Sequence, residues 1–284
     1  MSRPASIRRP PLLSFLVAVF ATAGGLSAQG KLDQVHDSVH DGDDDQEDPF
    51  DDDDWDDDEA SDLELLIGDP IGTAVEYTLF LPFYVPRIAL GDETLDRAEF
   101  QDHPYDDGPG FWFEPEGAFS EHDLSVRLAL EYGSDFDDIE RTGFALQLEH
   151  ANRFGLEATW NRWHEDLDSG GTDELDLGDV NVVYRFAQSA KAAWRAGAGL
   201  NFLHDEIDSD LGANFTYGAE FFPKEPLSLG FELDLGTLGD ATETHFRGRL
   251  GFLIHEFELY ASFDHFDIDD EELHSYGLGL RGWF

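Results

Sequence analysis

The end of the chain constrains its fold more than any other stretch. From Leu273 to Phe284 the side chains alternate with a period of two residues, which is the spacing of a β-strand. One set is Tyr276, Leu278, Leu280, Gly282 and Phe284, and the other is Ser275, Gly277, Gly279, Arg281 and Trp283. Chain ends usually fray and are polar. An apolar strand that finishes on an aromatic residue therefore predicts a paired last strand, as in a closed barrel.

Further stretches from Asp123 onward alternate in the same way. Their apolar sets fall in 124–132, 144–148, 154–160, 180–186, 194–202, 211–221, 227–235, 246–252 and 257–263, and contain no charged residue. Tight connections such as Asn152–Arg153 alternate with longer acidic ones, among them His164–Glu174, Thr237–Thr244 and Asp267–Glu272. The predicted fold class is all-β: an antiparallel transmembrane up-and-down β-barrel of about ten strands, with eight or twelve as alternatives.

The last strand resembles the C-terminal signal of bacterial outer-membrane β-barrel proteins. The resemblance rests on the alternating apolar residues, the glycines and the terminal aromatic, and it marks Tyr276, Leu278, Leu280 and Phe284 as an assembly signal. It implies the barrel-assembly machinery and outer-membrane lipid as partners. Residues 123–284 as a whole resemble small barrels of the outer membrane protein A and X type, without identifying one family. We expect a monomer in the outer membrane, with the N-terminal tail and the C-terminus both periplasmic.

The part of the chain before the barrel divides by composition. Residues 1–28 have early arginines and a short apolar core and are typical of a signal peptide. Residues 29–64 are predicted to be a disordered acidic linker, because like charges repel and little apolar surface is available. Residues 65–122 are predicted to hold a short helix and an ordered loop. The helix should begin near Asp69–Pro70 and end at Pro82 and Pro86, and it could lie on the inner leaflet, plug the barrel or pack beneath it.

Two whole-chain properties exclude classes of function. The formal net charge of −46 argues against nucleic acid as a partner, because phosphates would be repelled. The chain has no Cys, so disulfides and thiolate metal sites are excluded.

The strand faces opposite to the apolar ones carry both signs of charge. Such residues would point into a narrow lumen, where buried charges need partners. The predicted lumen network comprises Arg127, Arg185, Arg195, Arg247, Arg249, Arg281, Glu131, Glu149, Glu157, Glu220, Glu232, Asp234, Glu258 and Asp264. We interpret it as a closed, salt-bridged interior, and a narrow polar channel is the alternative.

Histidines near the expected outer rim are candidates for a metal site. They are His164, His204, His265 and His274, several of them beside acidic residues. Imidazole with carboxylate suits zinc, and carboxylates alone suit calcium. No spacing here is a recognised metal motif, so we expect no cofactor, with a divalent cation at the acidic loops as the alternative.

One set of residues raises the question of catalysis. His245, Ser262 and Asp264 share inward parity near the outer end of two neighbouring strands. No nucleophile motif accompanies them, so we expect no enzymatic activity. The predicted function is that of an outer-membrane barrel with a plugged interior and a structural or surface-interaction role. A narrow pore for small polar solutes is the second hypothesis, and a lipid- or peptide-modifying enzyme at the rim is the third.

Overall fold

The computed structural model describes residues 30–40, 70–92, 97, 99–113, 122–167, 171–205, 209–269 and 271–284. These residues include two helices, α1 (Lys31–His40) and α2 (Pro70–Leu90), and a short hairpin of β1 (Glu99–Phe100) and β2 (Trp112–Phe113) that precedes the barrel. The barrel strands are β3 (Leu124–Ser134), β4 (Ile139–His150), β5 (Phe154–Asp166), β6 (Thr172–Ser189), β7 (Ala192–His204), β8 (Ser209–Lys224), β9 (Leu227–Leu238), β10 (Ala241–Ile254), β11 (Phe257–Ile268) and β12 (Glu271–Trp283). The signal peptide of residues 1–28 and most of the acidic linker lie outside the described residues.

The ten strands β3 to β12 form one closed antiparallel barrel in chain order. Closure occurs where β12 pairs with β3, in a register that places Trp283 opposite Arg127. Beyond that pair, Val126 and Phe284 exchange two backbone hydrogen bonds of 2.7 and 2.8 Å. The predicted fold class and the strand count of ten are confirmed.

The two faces of the barrel have opposite polarity. Outward side chains are apolar and exposed, as in Leu130 at 64% and Leu278 at 68%. Inward side chains alternate with them and are buried, and many are charged, such as Arg127 at 1% and Glu258 at 0%. An apolar exterior around a polar interior is the inverse of a water-soluble protein and is the pattern of a transmembrane barrel.

The barrel has a turn end and a loop end. At the turn end, β4–β5, β6–β7, β8–β9 and β10–β11 are joined, and the chain finishes. The five remaining connections lie at the loop end, and two of them are only two residues long, much shorter than the sequence predicted. Strands β9 and β10 are joined by residues 239–240 alone, and β11 and β12 by residues 269–270 alone. Gly239 and Asp269 have positive φ angles of 54° and 53°, which suit tight hairpin turns, so acidic stretches expected as loops continue the strands instead.

Helix α1 differs from the expectation of a disordered linker over 29–64. Residues 31–40 are helical, and Leu32, Val35 and Val39 are at most 2% exposed. The three apolar residues recur at helical spacing and pack against apolar side chains at the loop end. The acidic composition of this stretch gave no sign of that buried contact. This part of the tail therefore lies at the opposite end of the barrel from Phe284. The structure therefore does not support the expectation that the N-terminal tail and the C-terminus lie on the same side of the membrane.

Helix α2 is longer than predicted. It continues through Pro82 and Pro86 to Leu90 instead of ending at the prolines. Proline at position 86 has no N–H to donate to the carbonyl of Pro82. The phenol of Tyr217 on β8 donates to that carbonyl at 2.8 Å and replaces the missing bond. No helix among the described residues is long and apolar enough to cross a membrane.

Candidate functional site

The barrel interior is the most organised polar region of the described structure. Near the turn end, the network centres on Glu220, whose carboxylate accepts hydrogen bonds from three arginines. Arg249 and Arg281 each donate to Oε1 at 2.7 Å, and Arg127 donates to Oε2. Because Glu220 is 3% exposed, these guanidinium groups provide the compensation that a buried carboxylate needs.

Two more carboxylates extend this cluster. Glu149 accepts from Arg127 and, at 2.8 Å, from Arg185. Glu258 accepts two bonds from Arg281, at 2.7 Å from Nε and 2.5 Å from Nη2. Such two-pronged contacts hold a guanidinium in a fixed orientation.

A second cluster lies nearer the loop end and centres on Asp264. Its carboxylate accepts from Arg141 and Arg247, each at 2.6 Å, and contacts His245 Nε2 at 3.3 Å. The other ring nitrogen of His245 contacts Asp234 at 3.0 Å. Arg141 also donates to Glu131.

Between the two clusters, Arg195 pairs with Glu157 and with Glu232, the latter at 2.5 Å. A cavity of about 40 Å³ remains beside it. That volume holds only a few water molecules. Arg195 and its two carboxylates therefore connect the two clusters through the middle of the interior.

An aromatic segment of residues 99–113, named the aromatic plug, packs at the turn end. Phe100, Phe111 and Trp112 are each 1% exposed and pack with Phe222 and Trp283 of the barrel. The plug also caps the ion network, because the Arg185 guanidinium lies 5.1 Å from the ring centre of Phe100 and 5.6 Å from that of Trp112. Cations over aromatic faces are attracted by the ring quadrupole, so the plug and the network stabilise each other.

Two polar contacts fasten this plug and the segment before it. The phenol of Tyr105 donates to the carbonyl of Leu227 at 2.7 Å. Burial, with the nearby Glu225 carboxylate as the second cause, raises the pKa of Tyr105 to about 12, so the phenol keeps its proton at neutral pH. Arg153 donates to both oxygens of Asp92, at 2.6 and 2.7 Å, and joins the end of α2 to the turn between β4 and β5.

Helix α1 covers the loop end. Its apolar side packs into a buried cluster at the barrel mouth, formed by Ile139, Trp163, Leu175, Leu177, Leu203, Leu238, Ala241, Phe266, Ile268 and Leu273. The carboxylate of Glu165 accepts hydrogen bonds of 3.0 Å from the backbone N–H groups of Lys31 and Leu32. A carboxylate at this position satisfies the unpaired donors of the first helical turn.

All the predicted lumen residues lie on the inward face. Five of the six arginines are buried and Arg249 is partly buried, and each of the six pairs with a carboxylate. The sequence reasoning missed Arg141, Asp179 and Glu243, which are also inward and buried. Strand parity could have found them, because each falls opposite to the apolar positions of its strand.

The candidate metal histidines do not form one site. His164 lies 3.5 Å from Glu174, and His204 contacts Ser209 at 2.7 Å. His265 and His274 face each other on β11 and β12, on a different part of the rim. Among the described residues, no group of three or more His, Asp or Glu side chains could hold a metal ion.

The geometry does not join His245, Ser262 and Asp264 into a catalytic relay. Both ring nitrogens of His245 contact carboxylates, so neither is available to take a proton from a serine. Ser262 lies opposite Arg249 in the register of β10 and β11, and its Oγ has no hydrogen-bond partner within the described structure.

Comparison with solved structures finds other β-barrels. The N-terminal β-barrel domain of Pseudomonas aeruginosa OprF shares 14% identity, with 56% of this chain and 97% of that chain covered, at a TM-score of 0.30. An outer membrane channel from Pseudomonas putida F1 shares 11% identity, with 61% and 100% covered, at 0.37. The β domain of the Bordetella autotransporter BrkA shares 9%, with 56% and 98% covered, at 0.32. These likenesses concern architecture alone. No family model and no curated protein sequence matches the chain.

Proposed function

We propose that this chain is an outer-membrane β-barrel with a closed interior, and that its role is structural or one of surface interaction. The proposal rests on the side chains that occupy the interior from one end of the barrel to the other. The aromatic plug covers the turn end, two ion clusters joined by Arg195 fill the length, and α1 covers the loop end.

A solute crossing this interior would have to separate paired buried charges. Breaking one partner out of a buried ion pair costs about 3–5 kcal/mol. The path crosses several such pairs, among them those of Glu220 and Asp264. Passive flow of ions or small solutes is therefore opposed at more than one level of the barrel.

Conductance in planar lipid bilayers tests this proposal. The folded full-length protein should give no steady single-channel current, whereas an open porin in the same bilayer gives one. Folding is checked separately by the mobility shift on heating that barrels show in gels. Steady current from the folded protein would replace the proposal with the narrow-pore alternative.

A deletion of Lys31–His40 provides the matched variant. It removes the cover at the loop end and leaves the ion clusters and the aromatic plug in place. We expect this variant to remain silent, because the clusters close the interior without α1. Current that appears only in the deletion would show that α1 alone closes the barrel.

A further inference from the structure

Helix α2 presents an apolar face that the barrel does not cover. Phe80, Leu81, Tyr84, Val85 and Ile88 are each at least half exposed. Their spacing places them on one side of the helix. Between Phe80 and Ile88 the sequence has a single charged residue, Arg87.

The opposite side of the helix is fastened to the outer wall of the barrel. Phe83 packs edge-on against Phe186, with ring centres 5.1 Å apart, and against Tyr217 at 5.9 Å. The bond from Tyr217 to the Pro82 carbonyl adds a polar contact at the same place. The orientation of α2 about its own axis is therefore set, and the apolar face points away from the barrel.

The last turn of α2 is fixed at the turn end. Gly91 has a φ of 73°, its N–H bonds to the carbonyl of Ile88, and the N–H of Asp92 bonds to that of Arg87. This pair of bonds is a Schellman motif, which ends the helix. Asp92 then accepts from Arg153 and, at 2.9 Å, from the backbone N–H of Gln188.

The exposed face of α2 continues the lipid-facing belt. Tyr217, which the helix touches, stands on the outward row of β8 with Phe215, and Val182 on β6 is 58% exposed. From Pro82 to Leu90 the helix extends about 12 Å along its axis, somewhat less than half the thickness of a bilayer's hydrocarbon core. It starts at the turn end and reaches the belt, so its exposed residues fall at the depth of one leaflet.

We propose that α2 is embedded in the membrane leaflet at the turn end, with phospholipid acyl chains covering Phe80, Leu81, Tyr84, Val85 and Ile88. The chain then binds the bilayer through a helix docked outside the barrel as well as through the barrel wall. This proposal does not depend on whether the interior conducts.

Spin labelling tests the proposal cleanly, because the chain has no native Cys. The variants Val85→Cys and Ile88→Cys carry a nitroxide in the folded full-length protein, in vesicles of phosphatidylethanolamine and phosphatidylglycerol. Leu229→Cys, on the outward face of β9, is the lipid reference, and Phe136→Cys, at an 81% exposed loop residue, is the water reference. Collision rates with oxygen and with a water-soluble nickel chelate are measured for all four.

Labels at 85 and 88 should collide mainly with oxygen, as the label at 229 does. Collision mainly with the nickel chelate, as at 136, would overturn the proposal by placing the face in water. Spin–spin broadening at 88 that disappears on dilution with unlabelled protein would also overturn it, in favour of a second copy of the chain as the occupant.

Discussion

The ion cluster in the turn-end half of the interior depends on Glu220 for its stability. Replacing it by Gln keeps the shape but removes the negative charge that Arg127, Arg249 and Arg281 share. We expect the folded barrel to lose about 3 kcal/mol or more of stability in urea unfolding followed by tryptophan fluorescence, because buried arginines lose their counter-charge.

The matched control for Glu220→Gln is Glu174→Gln. Glu174 is half exposed and lies 3.9 Å from Arg162 at the loop end, where an exposed ion pair contributes about 0–1 kcal/mol. Equal unfolding midpoints for the two variants would show that the interior network contributes no more than a surface pair.

At the scale of elements, the seam between β12 and β3 depends on the last residue. Both backbone groups of Phe284 bond to Val126, so deleting the residue removes two hydrogen bonds from the closing pair, each contributing about 1 kcal/mol. We expect a severalfold lower fraction of assembled, heat-modifiable barrel in outer-membrane preparations. Phe284→Tyr keeps both backbone bonds and an aromatic ring and should assemble nearly as well as the parent. Normal assembly of the deletion would contradict a role for this residue in closure.

At the scale of the whole molecule, the structure places α1 and the C-terminus at opposite ends. Single cysteines at Lys31, Phe136 and Glu256 mark α1, the loop end and the turn end. With a membrane-impermeant maleimide on intact cells, we expect Lys31→Cys to react together with Phe136→Cys. Glu256→Cys should react only after the outer membrane is permeabilised. Joint reaction of Lys31→Cys with Glu256→Cys would instead place the tail on the side of the C-terminus, as its sequence alone suggested.

The closed barrel could be predicted from the sequence because strand periodicity is a local property. Leu278 and Leu280 alternate with Gly279 and Arg281, and a charge facing lipid is costly enough to fix which set points outward. The same parity separated Arg195 and Glu232 from their apolar neighbours. Strand parity could not say which arginine pairs with which carboxylate. Glu220 and Arg127 meet across the lumen, and barrel closure sets the strand register that brings them together.

The sequence by itself determined a barrel of alternating strands, an apolar outer surface and a charged interior, because each of these follows from the order of neighbouring residues. Only the tertiary structure decided how the parts before the barrel are used. Among the described residues, the acidic stretch around α1 contains only three apolar residues that are buried, Leu32, Val35 and Val39, and so does not by itself predict a buried helix. The apolar cluster at the loop end provides their packing partners. By its local sequence, Pro86 predicts the end of a helix. In the folded chain, Tyr217 donates the hydrogen bond that proline cannot make. In both cases a distant contact overrides a local preference, because burial and hydrogen bonding depend on groups that are far apart in the chain.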